Sequence, residues 1–563
     1  GDVYKRQGDK IIKKYQHRIP RKSEGYFLKI EKDCIVIAGA DERGAYYGVQ
    51  TLAQLLALDK LPLAEVTDYP DVPYRGVVEG FYGAPWSQEA RIRQLDFYGR
   101  NKMNVYIYGP KDDPYHRTPN WRKPYPAREG EELKVLVNRA KENNVIFYWA
   151  IHPGQDIRWN EEDRSLLLQK FESMYQLGVR GFAVFFDDIS GEGTKADKQA
   201  ELLNYIDDHF VKVKRDVAPL ILCPTEYNKS WTDVEGGYLT TLGDKLNEGI
   251  KVMWTGDMVV ATIDKSTLDF VNPLLKRKAY IWWNFPVSDY VQDHLLLGPV
   301  YGNGLDIKDD MSAFVSNPME HAEASKISLY SVADYTWNME NYDSETSWKH
   351  AVRDLMPLHA EYLEIFAAHN SDPGQNGHRF RREESVAIQP ALSALLKAYQ
   401  EKNEIDEDAY RQVAEECRKI IVAADGLLAS GNENRPLITE IRPWLIQFKQ
   451  VGEYGAEVLN MIRLRQQKDA FIGSYEHARA LLVLMGETDA QYKAGIKSGS
   501  LHLMPTFNAL FEAATTGYNA AFHAGLDTKA VYSPYTLKSD VNQLASLPIQ
   551  QKGKVNTIIP SNE

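Results

Sequence analysis

The stretch GFAVFFDDISGEG, residues 181–193, decides the fold: an unbroken apolar run ends abruptly in two carboxylates, Asp187 and Asp188. A strand that is apolar at every position is buried on both faces, as in a parallel sheet covered by helices. The same texture recurs on both sides of it. Upstream lie YRGVVEG (74–80), NVYIYGP (104–110) and VIFYWAIHP (145–153). Downstream lie LILCPTEY (220–227), KVMWTGD (251–257), AYIWWNF (279–285) and ISLYSVADY (327–335). Amphipathic helical patterns separate several of them, at 88–102, 131–143, 161–176 and 198–214. Eight strand–helix units predict a central (β/α)8 TIM barrel, α/β in class, over residues 72–380. An open doubly wound sheet is the alternative, but no Gly-rich dinucleotide turn follows the first strand.

Working outward, residues 1–71 read as a small N-terminal α/β domain, with strands at YFLKI (26–30) and CIVIA (34–38) and a helix over 44–56. Residues 381–563 read as a C-terminal helical bundle domain, with helices over 406–428 and 436–467, and a tail to which no element is assigned. The joint AHNSDPGQNGHRFRREE (368–384) reads as a polar linker. No further module is expected after the bundle. The start, residues 1–7, has no Met and no apolar signal core, and reads as a truncated end.

Composition narrows the function. With 66 Lys+Arg against 78 Asp+Glu, the 563 residues carry a net charge of −12, which argues against nucleic acid or an anionic membrane as partner. No apolar run approaches the roughly 20 residues that span a bilayer. Three distant cysteines, Cys34, Cys223 and Cys417, build neither a disulfide framework nor a Cys-based zinc site.

A barrel of this type carries its chemistry at the C-terminal ends of its strands. Those ends supply Glu79-Gly80, Lys111-Asp112-Asp113, His152, Asp187-Asp188, Glu226-Tyr227-Asn228, Thr255-Gly256-Asp257, Asn284 with Asp289, and Asp334. The Asp pair is the sharpest feature. Neighbouring residues on a strand point to opposite faces, so both acids reach one cleft only if the chain leaves the pleat there. Two close carboxylates in a dry site divide into one acid and one anion, the division a glycosidase needs. Metal chemistry is the rival, but clustered His ligands are missing, so no metal and no organic cofactor is expected. A hard-cation site built from Asp oxygens alone is the metal alternative.

RGVVEGFYGAPWS (75–87), YGPKDDPYHR (108–117), AIHPGQDI (150–157), FAVFFDDISGEG (182–193), CPTEYN (223–228), MWTGD (253–257), YIWWNFPVSDY (280–290) and VSNPMEHAEASKISLYSVADY (315–335) resemble glycoside hydrolase family 84. These are the O-GlcNAcases and related β-N-acetylglucosaminidases, and the likeness is closest to bacterial members. The resemblance implies a retaining exo-β-N-acetylglucosaminidase that removes terminal β-linked GlcNAc, O-GlcNAc on Ser/Thr included, by substrate-assisted catalysis through an oxazoline. In it Asp187 orients the acetamido N–H and Asp188 is the general acid and base. Tyr227 binds the acetamido oxygen, while Cys223, Thr255 and Trp282 wall the acetyl methyl. Gly80, Lys111, Asn284, Asp289 and Asn317 bind sugar hydroxyls, with Asp289 on the 4- and 6-hydroxyls. The partner is then a GlcNAc-bearing glycoconjugate or glycoprotein. The helical domain offers surface for a homodimer, and a periplasmic or secreted bacterial setting is expected, with a cytoplasmic one as the alternative. The alternatives are a hyaluronidase-like endo-hexosaminidase and a carbohydrate-binding protein that has lost catalysis.

Overall fold

The computed structural model describes residues 10–58 and 60–534; the readings made for residues 1–7 and for the C-terminal tail lie outside the described residues. The first unit is a three-stranded antiparallel sheet of order β2-β1-β3, formed by β1 (Tyr26–Ile30), β2 (Ile35–Gly39) and β3 (Ala64–Asp68). The helix Glu42–Leu56 begins where Asp41 accepts a hydrogen bond from the Gly44 N–H at 2.8 Å. Its buried face, with Tyr47, Gly48, Thr51 and Leu55, repeats at helical spacing.

Eight parallel strands then close a barrel: β4 (Tyr74–Glu79), β5 (Val105–Tyr108), β6 (Ile146–Ile151), β7 (Gly181–Phe185), β8 (Ile221–Cys223), β9 (Lys251–Trp254), β10 (Ala279–Trp283) and β11 (Met311–Ser316). Each pairs with its neighbours in sequence, and β11 closes on β4. Inward and outward residues alternate along every strand. In β7, Ala183 and Phe185 pack inside the barrel with Val78, Ile107, Ile221 and Met253. Phe182, Val184 and Phe186 face the helices instead. Five helices, Gln389–Lys402, Glu407–Ala429, Arg435–Arg463, Lys468–Ala490 and Leu503–Phe522, form the C-terminal bundle. No described helix is long and apolar enough to cross a membrane.

Two sequence readings are corrected. ISLYSVADY is not the eighth strand: it lies in the helix Ala322–Trp337, and β11 is the eighth strand. All 16 residues of that helix are buried, wedged between barrel, bundle and N-terminal unit, so it lacks the polar face that marks a helix in sequence. Asp334 therefore sits on a helix and not at a strand end. The joint 368–384 is also not a loose linker. His369, Asn370, Ser371, Asp372, Arg381, Arg382 and Glu384 are buried, because their polar groups pair with one another and with both domains.

Candidate active site

The inward alternation of β7 runs Ala183, Phe185, Asp187, so Asp187 enters the barrel mouth by simple continuation of the pleat. Asp188 would point away. It adopts φ +52°, the left-handed conformation that few non-glycine residues take, and this turns its carboxylate back toward the same cavity. Strain of this kind persists only where surrounding contacts hold it. Here two hydroxyls do so: Tyr82 donates to Asp188 Oδ2 at 2.9 Å and Tyr227 to Oδ1 at 2.8 Å.

Asp187 has different company. The Lys111 Nζ stands 3.7 Å from its Oδ2. His152 Nε2–H donates to the Asp187 carbonyl at 2.9 Å and lies 3.4 Å from Oδ1. Burial pushes the Asp187 carboxyl up, but the Lys111 ammonium and the His152 ring outweigh it and hold the group well below the usual carboxylate range. It is held as an anion. Its Oδ1 is buried yet accepts no hydrogen bond among the described residues.

The eleven residues to which the resemblance gives roles all line one cavity of about 240 Å³: Gly80, Lys111, Asp187, Asp188, Cys223, Tyr227, Thr255, Trp282, Asn284, Asp289 and Asn317. Its walls are tightly fixed. A Cβ on Gly80 would lie 2.6 Å from the Trp282 ring, so only glycine admits that indole. The Trp282 Nε1–H donates to Asn284 Oδ1 at 2.8 Å, and the Asn317 amide donates to the same oxygen at 2.9 Å. The Asn284 amide donates in turn to the Val259 carbonyl at 2.7 Å. Thr255 turns its hydroxyl to the Met258 carbonyl at 3.0 Å, leaving its methyl for packing. Asp289 accepts from the Tyr82 N–H at 3.0 Å, and burial pushes its carboxyl up.

Other strand-end acids do not line the cavity. Glu79 is locked to Arg91 at 2.7 Å and accepts from Tyr106. Asp113 accepts from Tyr108 at 2.8 Å and from Tyr125 at 2.7 Å. The cavity also takes in residues that strand ends could not reveal. Tyr82 comes from the loop after β4, Trp231 from the loop after β8, where its ring sits 4.9 Å from Tyr227, and His378 from the supposed linker. Tyr82 was legible only as part of the FYG run beside Gly80; nothing in the sequence marked His378. Among the described residues no cluster of His, Cys, Asp or Glu could hold a metal ion.

Residues 75–368 match the family model described as beta-N-acetylglucosaminidase. The chain belongs to that family, glycoside hydrolase family 84. Residues 384–511 match the bacterial family 84 post-catalytic domain, and residues 7–69 match domain 2 of glycosyl hydrolase family 20. Residues 526–563 match carbohydrate binding module family 32, which corrects the expectation that nothing follows the bundle. The Protein O-GlcNAcase of Rattus norvegicus is 35% identical over 276 residues, 47% of this chain and 30% of that protein. The chain thus aligns with less than a third of that relative's length. The solved structure of CpGH84B has a TM-score of 0.81 at 33% identity, covering 89% of each chain. A mutant of the Thermobaculum terrenum O-GlcNAc hydrolase has a TM-score of 0.70 at 26% identity, covering 82% of this chain and all of that one.

Proposed function

We propose that this family 84 member is a retaining exo-β-N-acetylglucosaminidase that removes terminal β-linked GlcNAc, O-GlcNAc on Ser/Thr included, with the substrate's own acetamido group as nucleophile. The observation that carries the reading is the unequal treatment of two adjacent acids. Asp187 is a fixed anion with an unpartnered oxygen, whereas Asp188 is held only by hydroxyls at the cavity mouth.

Asp187 Oδ1 accepts the acetamido N–H, which aims the acetamido oxygen at C1 and stabilises the positive charge that grows on the amide during attack. The C1–O bond to the leaving group breaks as C1 bonds the acetamido oxygen, and Asp188 gives its proton to the departing oxygen. Water then attacks C1 of the oxazoline and loses a proton to Asp188, which restores both the amide and the acid. Two inversions give net retention. Tyr227 would exchange its bond to Asp188 for one to the acetamido oxygen when substrate enters. Cys223, Thr255 and Trp282 wall the methyl, and a small lining of this kind rejects larger acyl groups on volume. A cavity of about 240 Å³ suits one ring better than a chain threaded through it, which favours exo over endo action.

The test is a series of aryl β-glucosaminides with N-acetyl, N-fluoroacetyl, N-difluoroacetyl and N-trifluoroacetyl groups. Fluorine drains the attacking oxygen, so kcat/KM is expected to fall steeply along the series. A flat series would overturn participation by the amide.

A further inference from the structure

His378 lines the cavity but comes from neither matched stretch: it lies between residues 75–368 and 384–511. The segment that carries it is rigidly built. Arg381 grips Asp372 from Nη2 at 2.8 Å and from Nε at 3.0 Å, both side chains buried. The Arg382 guanidinium is enclosed by the rings of Tyr301 at 4.2 Å, Phe285 at 4.5 Å and Phe380 at 4.9 Å, and donates to the Tyr301 carbonyl at 2.9 Å. Glu384 accepts from the Leu501 N–H of the bundle at 3.3 Å. Phe285 adjoins Asn284, so the anchor and the cavity wall share one piece of chain.

On this anchor Asn376 shapes a tight turn, accepting from the His378 N–H at 3.0 Å and donating to the Phe380 carbonyl at 2.7 Å. The His378 ring stands edge-on to Tyr290, 4.9 Å between centroids. Both His378 and Asp289 line the cavity, and the ring that His378 packs against belongs to the residue next to Asp289. The His378 ring nitrogens have no hydrogen-bond partner among the described residues.

We propose that His378 is a specificity-determining residue that works with Asp289 to read the sugar's 4-hydroxyl and to shut that end of the cavity against a 4-linked extension. The proposal rests on the proposed function and on the sugar orientation that the resemblance to family 84 implies, with the 4- and 6-hydroxyls at Asp289. A carboxylate only accepts hydrogen bonds, whereas a neutral imidazole also donates one. A 4-hydroxyl between them donates to Asp289 and accepts from His378. A 4-deoxy sugar leaves both groups unpaired, and a 4-epimer aims its hydroxyl elsewhere. The segment joining barrel to bundle thereby decides which sugars the barrel accepts.

The experiment compares kcat/KM for aryl β-GlcNAc with its 4-deoxy, 4-epimeric and 4-O-methyl analogues, in wild type, His378→Ala, His378→Gln and Asp289→Asn. One hydrogen bond lost to a buried partner corresponds to a preference for GlcNAc over the 4-deoxy sugar of roughly 10- to 100-fold in wild type. In His378→Ala that ratio is expected to fall to the part that Asp289 alone maintains, chiefly through KM for GlcNAc, with the 4-O-methyl analogue now accepted. His378→Gln, which keeps a donor and an acceptor, recovers part of the ratio. A His378→Ala variant that keeps the wild-type ratio, or loses both substrates equally, overturns the proposal. If Asp289→Asn also leaves the ratio unchanged, the assumed orientation is wrong and the proposal falls with it. A wild type inert toward every β-GlcNAc substrate refutes the proposed function itself.

Discussion

The two ends of the barrel treat buried charge in opposite ways. At the N-terminal end, Arg75 pairs with Glu24 at 2.7 Å and donates to the carbonyls of Lys102 at 2.8 Å and Val72 at 2.9 Å. Lys102, pushed down to about 8 by burial, donates to Thr51 at 2.6 Å and to Tyr26 at 2.9 Å. Each charge here has a counter-charge, with Glu24 Oε2, which accepts no hydrogen bond, held against the Arg75 cation, and the groups join the N-terminal unit to the barrel. At the C-terminal end, Asp187 keeps an oxygen without a donor and Asp188 keeps a backbone conformation that costs energy. Closed polar networks hold the fold together; incompletely satisfied ones are ready to bind. The contrast explains how one barrel carries two chemically unlike rims.

Substitutions at the two rims should therefore fail in different ways. The largest effect belongs to the acids: Asp187→Asn and Asp188→Asn should each lower kcat on unactivated glycosides by roughly 10²- to 10⁴-fold, with the fold intact by thermal unfolding. Aryl substrates with acidic leaving groups should rescue Asp188→Asn and not Asp187→Asn. Equal rescue of both would erase the distinction drawn between the acids. At the other rim, Arg75→Met leaves buried Glu24 with only the longer contact to Arg43 at 3.3 Å, and should cost about 3–5 kcal/mol in denaturant unfolding. The kcat of the folded fraction should hardly change.

Lys111→Met probes the electrostatics of the active rim. Without the ammonium, burial is opposed only by His152 and the backbone, so the Asp187 carboxyl rises from its depressed position. Since the anion is the working form, the acid limb of the pH profile of kcat/KM should move to higher pH. A limb that stays in place would mean that another group controls it. The same depressed group contributes to folding stability above its unfolded pKa and loses that contribution as pH falls, so Lys111→Met should flatten this acid-side loss. The smallest effect is Gly80→Ala, whose methyl meets the Trp282 ring at 2.6 Å. The indole must shift at a cost of about 1 kcal/mol or more, read as a raised KM with kcat less affected.

The seven strands β4 to β10 were legible because burial on both faces leaves each run almost wholly apolar, with Arg75, Glu79 and Lys251 at or near strand ends as the exceptions. The same reasoning failed at the helix Ala322–Trp337, where burial on all sides erases the helical period and leaves a strand-like apolar run. The cavity residues were legible where a strand end delivers them. Asp187 follows the pleat, and Tyr227, Thr255 and Asn284 follow β8, β9 and β10. Tyr82, Trp231 and His378 were not legible in this way, because loop aromatics and a polar joint look alike in sequence whether or not they fold over a cavity.

By itself the sequence determined the alternation of covered strands and helices, and with it the barrel and the pair of acids at one strand's end, since these depend on residues that are neighbours along the chain. Only the tertiary structure decided that Asp188 turns back through φ +52° to join Asp187, that Lys111 and His152 hold Asp187 as an anion, and that His378 reaches the cavity from beyond the barrel. Electrostatics and closure depend on distances in space between residues far apart in sequence, and the order of residues along a chain does not state those distances.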